Sequence, residues 1–216
     1  MPPLADLPLR VRTSIVGSAL GALAALAALV ILLVDPGAAR AADEKVPPAD
    51  ERPLYVRAFA TSGAGMGLRF NNPYRLARQL GDDARGPSTT APYLDLGVGA
   101  TFGDPFGFQH GGTLRWDRAL SGVGQHVVTP SYVGLRRWTA FEVWGRFGLP
   151  IVLTPDRNLG TELAVGGAWF VRAGVGLALE AIGDVFFGAS TPEKRQPVYP
   201  VLSGQLGLLV EWERLP

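Results

Sequence analysis

The chain contains no cysteine, which excludes disulfide bonds, thiolate catalysis, cysteine-ligated zinc and a lipid-modified N-terminal cysteine. Charge is also scarce: 18% of the residues are charged and the formal net charge is +1. No basic run is present, so the sequence gives no reason to expect binding to nucleic acid. Metal-ligand spacings, phosphate-binding loops and nucleotide fingerprints are missing too. We therefore expect no cofactor and no metal.

The most regular stretch is residues 201–213, where apolar and small or polar residues alternate. Even positions carry Leu202, Gly204, Leu206, Leu208, Val210 and Trp212, while odd positions include Ser203, Gln205, Glu211 and Glu213. Successive side chains of a strand point to opposite faces. The stretch therefore predicts a long strand with one apolar face and one polar face.

The N-terminal residues have the layout of a secretory signal peptide. Arg10 and Arg12 precede an apolar run over 14–34, and an A-x-A pattern at 39–41 places cleavage before Ala42. The alternative is an uncleaved transmembrane anchor, since the run is long enough to cross a bilayer. We expect a cleaved signal peptide over 1–41, a flexible periplasmic linker over 42–53 and a single domain over 54–216.

Alternation recurs seven more times before the last strand, in segments of roughly ten residues, the length that a tilted strand needs to cross a bilayer. The connections alternate between long and tight, as in an up-and-down barrel whose longer loops lie on one side. The longest, 71–91, contains Asn72-Pro73 and Gly81, which are signals for the start and end of a short helix. This loop and the loop over 189–197 are the predicted external contact surfaces.

Two barrel types share this alternation. A lipocalin-like barrel places the apolar face inside, whereas a membrane barrel places it against lipid. The predicted strands contain no lysine, and their polar face is rich in small residues, as suits a narrow interior. Three tryptophans lie on apolar faces toward strand ends, where interfacial aromatics are expected: Trp116, Trp169 and Trp212. We therefore predict an all-β fold, an eight-stranded antiparallel up-and-down transmembrane β-barrel.

Charged residues of both signs fall on the predicted inner face: Arg57, Asp95, Arg115, Asp117, Arg136, Glu142, Arg146, Glu162, Glu180, Asp184 and Glu211. Eight strands enclose a space that side chains fill. We expect an ion-pair network that packs the lumen and leaves no open pore. The alternative is a gated ion or proton path.

The export signal, the alternating strands and the pattern from Val175 to Trp212 resemble the small outer-membrane β-barrels of Gram-negative bacteria, with the OmpA/OmpX-like eight-stranded type the most similar. The resemblance covers the whole mature chain, but it is one of pattern and carries no functional residue. It implies residence in the outer membrane, contact with its lipids and lipopolysaccharide, insertion by the barrel assembly machinery and a monomer. Such barrels usually end on Phe or Tyr, whereas this chain ends on Pro216, four residues after Trp212.

We expect a structural or loop-mediated binding role and no catalysis. One alternative is a periplasmic lipocalin-like barrel that binds an apolar ligand. Another is a lipid A-modifying enzyme that would use His126 with Ser131, Ser121 or Glu142. Nucleophile and base must come within hydrogen-bond reach, yet Ser131 lies five residues from His126 and therefore on the opposite face of an extended strand.

Overall fold

The computed structural model describes residues 55–70, 87–105, 107–187 and 198–214. Ten strands lie in these ranges: β1 (Tyr55–Arg69), β2 (Ser88–Thr89), β3 (Tyr93–Gly103), β4 (Phe108–Ala119), β5 (His126–Arg137), β6 (Phe141–Gly148), β7 (Ile151–Thr154), β8 (Asn158–Arg172), β9 (Val175–Phe187) and β10 (Val198–Arg214). Within these ranges, no helix has the length and apolar character needed to cross a bilayer. The predicted signal peptide, linker and short helix, and the loop over 189–197, lie outside the described residues.

The strands close into a barrel. Each main strand pairs antiparallel with the next along the chain, and β10 pairs with β1 from Val56↔Arg214 to Arg69↔Val201. Strand β2 is a two-residue addition to the end of β1. Segments β6 and β7 together occupy one strand position of the barrel, between β5 and β8. The result is the eight-stranded up-and-down barrel that the sequence predicts.

The register fixes the tilt of the strands. Pairings followed once around the barrel from Phe59 return to β1 at Arg69, ten residues further along. With about 3.3 Å per residue and about 4.8 Å between strands, this offset corresponds to a tilt of about 40°. A barrel of this size has an interior that side chains fill.

One predicted strand, over 142–151, is interrupted between β6 and β7. Pro130 and Pro150 both lie at this position and neither has a backbone N–H, so the hydrogen-bond ladder weakens there. Leu149 N donates to Pro130 O at 3.0 Å, and Gly160 N donates to Pro150 O at 2.8 Å. The register with β5 is the same on both sides of the break, which preserves the barrel wall.

The outer face of the barrel is apolar. Leu202, Leu206, Leu208 and Trp212 on β10 are between 47% and 65% exposed, while the alternate residues Ser203, Leu209 and Glu211 are buried. Each of the remaining barrel strands also carries exposed large apolar side chains. Such a continuous belt far exceeds the apolar patches of soluble monomers, and it matches the lipid-facing band of a membrane barrel.

Glycines make room for aromatic side chains in the lumen. Phe59, Tyr93 and Trp144 each lie across a glycine on the neighbouring strand, and a Cβ at that glycine would come within 2.5–2.6 Å of the ring: Gly99, Gly65 and Gly166, respectively. The sequence predicts an inner face rich in small residues, and Gly99 is one of them. These glycines are therefore sites where any side chain overpacks the interior.

Gly99→Val is expected to lower the free energy of unfolding by roughly 1–3 kcal/mol, because the new side chain must displace the Phe59 ring. Urea unfolding of the barrel refolded into lipid vesicles measures the change. Gly145→Val is the matched control, since a Cβ at Gly145 meets no atom within 4 Å. Equal unfolding midpoints for the two variants would contradict this account.

Candidate functional site in the barrel lumen

The lumen has two different ends. The turn end carries the short connections 104–107, 138–140 and 173–174, together with the two ends of the barrel chain at Tyr55 and Arg214. The loop end carries the connections 70–92, 120–125, 155–157 and 188–197. The predicted alternation of long and tight connections holds except at 155–157, which is only three residues long.

Near the turn end, four charged residues form the turn-end cluster: Arg57, Arg137, Glu142 and Glu211. Arg57 is fully buried, and its Nη1 lies 2.6 Å from Glu142 Oε2 and 2.7 Å from Glu211 Oε2. Arg137 Nη1 lies 2.6 Å from Glu211 Oε1. Since β1 and β6 are four strands apart in either direction around the barrel, the Arg57–Glu142 pair crosses the lumen. The cluster has equal numbers of positive and negative charges.

An apolar layer lies next to the turn-end cluster. Its members are Phe59, Val133, Leu135, Trp144, Ala168 and Leu209. Phe59, Leu135, Trp144 and Leu209 each lie two residues from a member of the cluster along the same strand, so they face inward at the next level. Charged and apolar levels together occupy this part of the lumen, apart from a cavity of about 50 Å³ whose lining includes Arg57, Phe59 and Trp144.

Further toward the loop end lies the central cluster: Asp95, Arg115, Asp117, Arg146, Glu162, Glu180 and Asp184. Arg115 Nη2 lies 2.7 Å from Asp95 Oδ2. Arg146 Nη1 lies 2.7 Å from Glu162 Oε1, and its Nη2 lies 3.0 Å from Glu180 Oε2. Arg115 Nη1 also lies 3.5 Å from Glu180 Oε2, and this pair crosses the lumen because β4 and β9 lie on opposite sides of the barrel.

Two neutral side chains complete the central cluster. Trp144 Nε1 donates to Glu180 Oε1 at 2.8 Å. Gln205 accepts from Arg115 Nη2 at 3.0 Å and donates to Glu180 Oε2 at 2.8 Å. The sequence did not assign either residue to the network, although Gln205 occupies a position of β10 that the alternation predicts to face inward.

Of the eleven charges predicted to face inward, the structure places ten in the two clusters. The prediction is wrong for Arg136, which lies on the outer face of β5. Its guanidinium stacks 5.3 Å from the Trp138 ring centroid. An inward Arg136 requires that Val133 and Leu135, on the opposite face of the strand, point to lipid, but both are buried in the lumen and are 3% and 2% exposed. Arg137, which shares their face, is the residue that joins the network. The polar residues Thr129 and Ser131 lie on the same face of β5 as Val133 and Leu135, and they could have indicated that this face points into the lumen.

The three predicted interfacial tryptophans all lie on the outer face. Trp169 and Trp212 are 67% and 58% exposed and lie near the turn end. Trp116 lies toward the loop end and stacks on His126 with 5.6 Å between ring centroids. The three rings are therefore placed toward both rims of the apolar belt.

The residues considered for catalysis are not brought together. His126 is on the outer face against Trp116, whereas Ser131 faces the lumen, where it accepts a hydrogen bond from Arg146 Nη1 at 3.5 Å. Glu142 belongs to the turn-end cluster. His110 is on the outer face between Phe102 and Tyr132, with ring-centroid distances of 4.2 Å and 6.3 Å.

At the loop end, the lumen widens into a cavity of about 320 Å³, which we call the vestibule. Its floor includes Arg115, Asp117, Glu162 and Asp184 of the central cluster. Its walls include Tyr93, Val127, Ile182, Phe186 and Val201, and Arg69 and Ser121 also line it. Within the described residues, no group of three or more His, Asp or Glu side chains is arranged to hold a metal ion.

Closure of the strands, the outward apolar belt and the charged lumen define an eight-stranded transmembrane β-barrel. Neither the protein-family models nor the curated proteins include a match to the chain. Among solved structures, the crystal structure of Neisserial surface protein A (NspA) is similar at 13% identity and a TM-score of 0.43, covering 73% of this chain and 95% of that one. A de novo designed transmembrane β-barrel is similar at 8% identity and a TM-score of 0.40, covering 78% and 100%, respectively. The assignment rests on the strand pairing and the exposed face of this chain itself.

Proposed function

We propose that the protein is a closed, non-conducting barrel of the Gram-negative outer membrane with a structural or binding role exercised at its loop end. The observation that supports a closed barrel is the filled turn end. There Arg57, Glu142 and Glu211 meet across the lumen and the apolar layer lies beside them. Ions would have to pass through both levels, and a buried ion pair resists the loss of either partner.

The outer membrane is proposed because closed antiparallel barrels with interfacial aromatics are typical of it. The signal-like residues 1–41 supply a route of export. In this proposal the apolar belt contacts outer-membrane lipids and lipopolysaccharide, the barrel assembly machinery inserts the chain, and the barrel acts as a monomer. A lipocalin-like alternative is not favoured, because the large apolar side chains of β10 point outward rather than into a ligand cavity.

We also propose that the role is not catalytic. His126 and Ser131 lie on opposite faces of β5, so an acyl-transfer pair would need a rearranged strand. The loops over 71–91 and 189–197 are the proposed contact surfaces.

Two measurements test this proposal. The full-length chain expressed in a Gram-negative host should be found in the outer-membrane fraction and should migrate faster on a gel when unboiled. In planar bilayers the purified barrel should then show no stepwise conductance, in contrast to a porin measured under the same conditions. A soluble periplasmic product without a gel shift would refute the membrane assignment, and stable ohmic steps would refute the closed lumen.

A further inference from the structure

The central cluster has an excess of negative charge. It contains five carboxylates and two arginines, and the carboxylates still outnumber the cations when Arg69 in the vestibule is counted. Burial of charge away from water is costly unless each charge has a partner. In the turn-end cluster, by contrast, the numbers of positive and negative charges are equal. The imbalance at the floor of the vestibule is therefore a specific feature of that end.

The register adds to the imbalance. Asp95 lies directly opposite Asp117 on β3 and β4, and Glu162 lies directly opposite Asp184 on β8 and β9. Like charges placed opposite each other on neighbouring strands are destabilising. Arg115 and Arg146 offset one member of each pair through Asp95 and Glu162. The other member of each pair, Asp117 or Asp184, also lines the vestibule.

Asp184 has an oxygen without a partner. Its side chain is 9% exposed and lines the vestibule, and its buried Oδ1 makes no hydrogen bond in the described part of the chain. Asp117 Oδ1 is also buried without a hydrogen bond, although it forms an ion pair with Arg115 Nη2 at 3.7 Å. A buried acceptor in this condition costs free energy that a donor from a ligand would recover.

The rest of the vestibule determines what kind of donor fits. Its volume of about 320 Å³ is in the range of small-molecule sites, which combine apolar walls with a few polar groups. Tyr93, Phe186 and Val201 supply apolar walls above the carboxylates. Tyr93 is held in place because its hydroxyl lies 3.4 Å from Ser203 Oγ. A ligand with a compact apolar body and one cationic hydrogen-bond donor matches both parts.

We propose that the vestibule binds a small organic cation, an ammonium or guanidinium on a compact apolar group, through Asp184 and Asp117. The donor enters the floor of the vestibule and hydrogen-bonds the two carboxylate oxygens that lack a hydrogen bond, while its apolar body packs against Phe186 and Val201. Such charge-assisted hydrogen bonds are stronger than neutral ones. This inference rests on the proposed binding role at the loop end and adds a ligand site in the lumen to the contact surfaces of the loops.

The test uses the full chain folded in zwitterionic detergent micelles, after the gel shift has verified the barrel. Binding of 2-phenylethylammonium is measured by calorimetry and compared with 2-phenylethanol, which has the same apolar body without the charge. We expect the ammonium to bind and the alcohol to bind roughly tenfold or more weakly. Asp184→Asn should weaken ammonium binding by a similar factor, and added salt should weaken it further.

Asp156→Asn is the matched control, because Asp156 is an exposed carboxylate in the 155–157 connection at the same end of the barrel. It should leave ammonium binding unchanged. Equal binding of the ammonium and the alcohol, unchanged ammonium binding by Asp184→Asn, or no ammonium binding at all would each overturn the inference. Asp184-dependent binding of Mg²⁺ or Ca²⁺ without ammonium binding would overturn it in favour of a metal site. Because the gel shift is verified first, these outcomes count against the ligand and not against the barrel.

Discussion

Replacement of Arg57 by methionine is expected to lower the free energy of unfolding by about 3–5 kcal/mol, the cost of breaking a buried ion pair from one side. Arg57 is fully buried and donates to Glu142 at 2.6 Å and to Glu211 at 2.7 Å. Without it, Glu142 loses its ion-pair partner inside the barrel, while Glu211 keeps Arg137. The penalty therefore comes mainly from a carboxylate that is left buried.

Urea unfolding in lipid vesicles, followed by the gel shift of the folded barrel, gives the measurement. A double variant, Arg57→Met with Glu142→Met, should recover part of the loss, because apolar side chains of similar volume often replace a buried ion pair at little cost. Arg157→Met is the control for loss of an arginine, since Arg157 is exposed, and such surface changes stay within about 0.5 kcal/mol. If the single and double variants unfold at the same urea concentration, the buried carboxylate is not the cause.

Much of the barrel was predictable because alternation is a local property. On β10, the exposed side chains include Leu202, Leu206, Leu208 and Trp212, while Val201, Ser203, Leu209 and Glu211 are buried, in the alternation that the pattern over 201–213 predicts. The predicted strand count and the closed order of strands are also confirmed. The rule failed on β5, where Val133 and Leu135 face an apolar level of the lumen instead of lipid. An apolar layer inside a membrane barrel gives the same sequence signal as a lipid-facing surface.

The partners inside the lumen were not predictable, because they depend on the register around the whole barrel. Arg57 and Glu142 are 85 residues apart in the chain, and their contact follows from the ten-residue offset rather than from any local pattern. The same holds for Arg146 and Glu180, which are 34 residues apart. Alternation indicates which side chains face inward, but it does not indicate the level at which each one lies.

The break between β6 and β7 illustrates a second limit. Because proline has no backbone N–H, Pro130 predicts a weak first half of β5, yet β5 runs unbroken through it as a strand from His126 to Arg137. The interruption falls instead on the neighbouring strand at Pro150. A missing donor weakens the ladder between two strands, and the sequence does not specify which of them is interrupted.

Replacement of Leu206 by arginine is expected to destabilise the barrel by about 2–4 kcal/mol in lipid vesicles, the cost of a charge at the bilayer midplane on the lipid face. Leu206 lies at the centre of β10, is 65% exposed, and pairs across the strands with Leu179, which is 64% exposed. An arginine there meets hydrocarbon on every side except the barrel wall. The unfolding free energy in urea measures the change.

Because the cost of an arginine depends on its depth in the bilayer, this variant tests whether lipid or water surrounds the barrel. Leu120→Arg places the same charge on a residue that is 59% exposed just beyond the end of β4, where lipid gives way to water, and should cost only about 0–1 kcal/mol. In a barrel surrounded by water, both arginines would be solvated and their costs would be equal and small. Equal costs would therefore contradict a lipid-facing belt, whereas a large cost at Leu206 alone requires an apolar medium around the middle of the barrel.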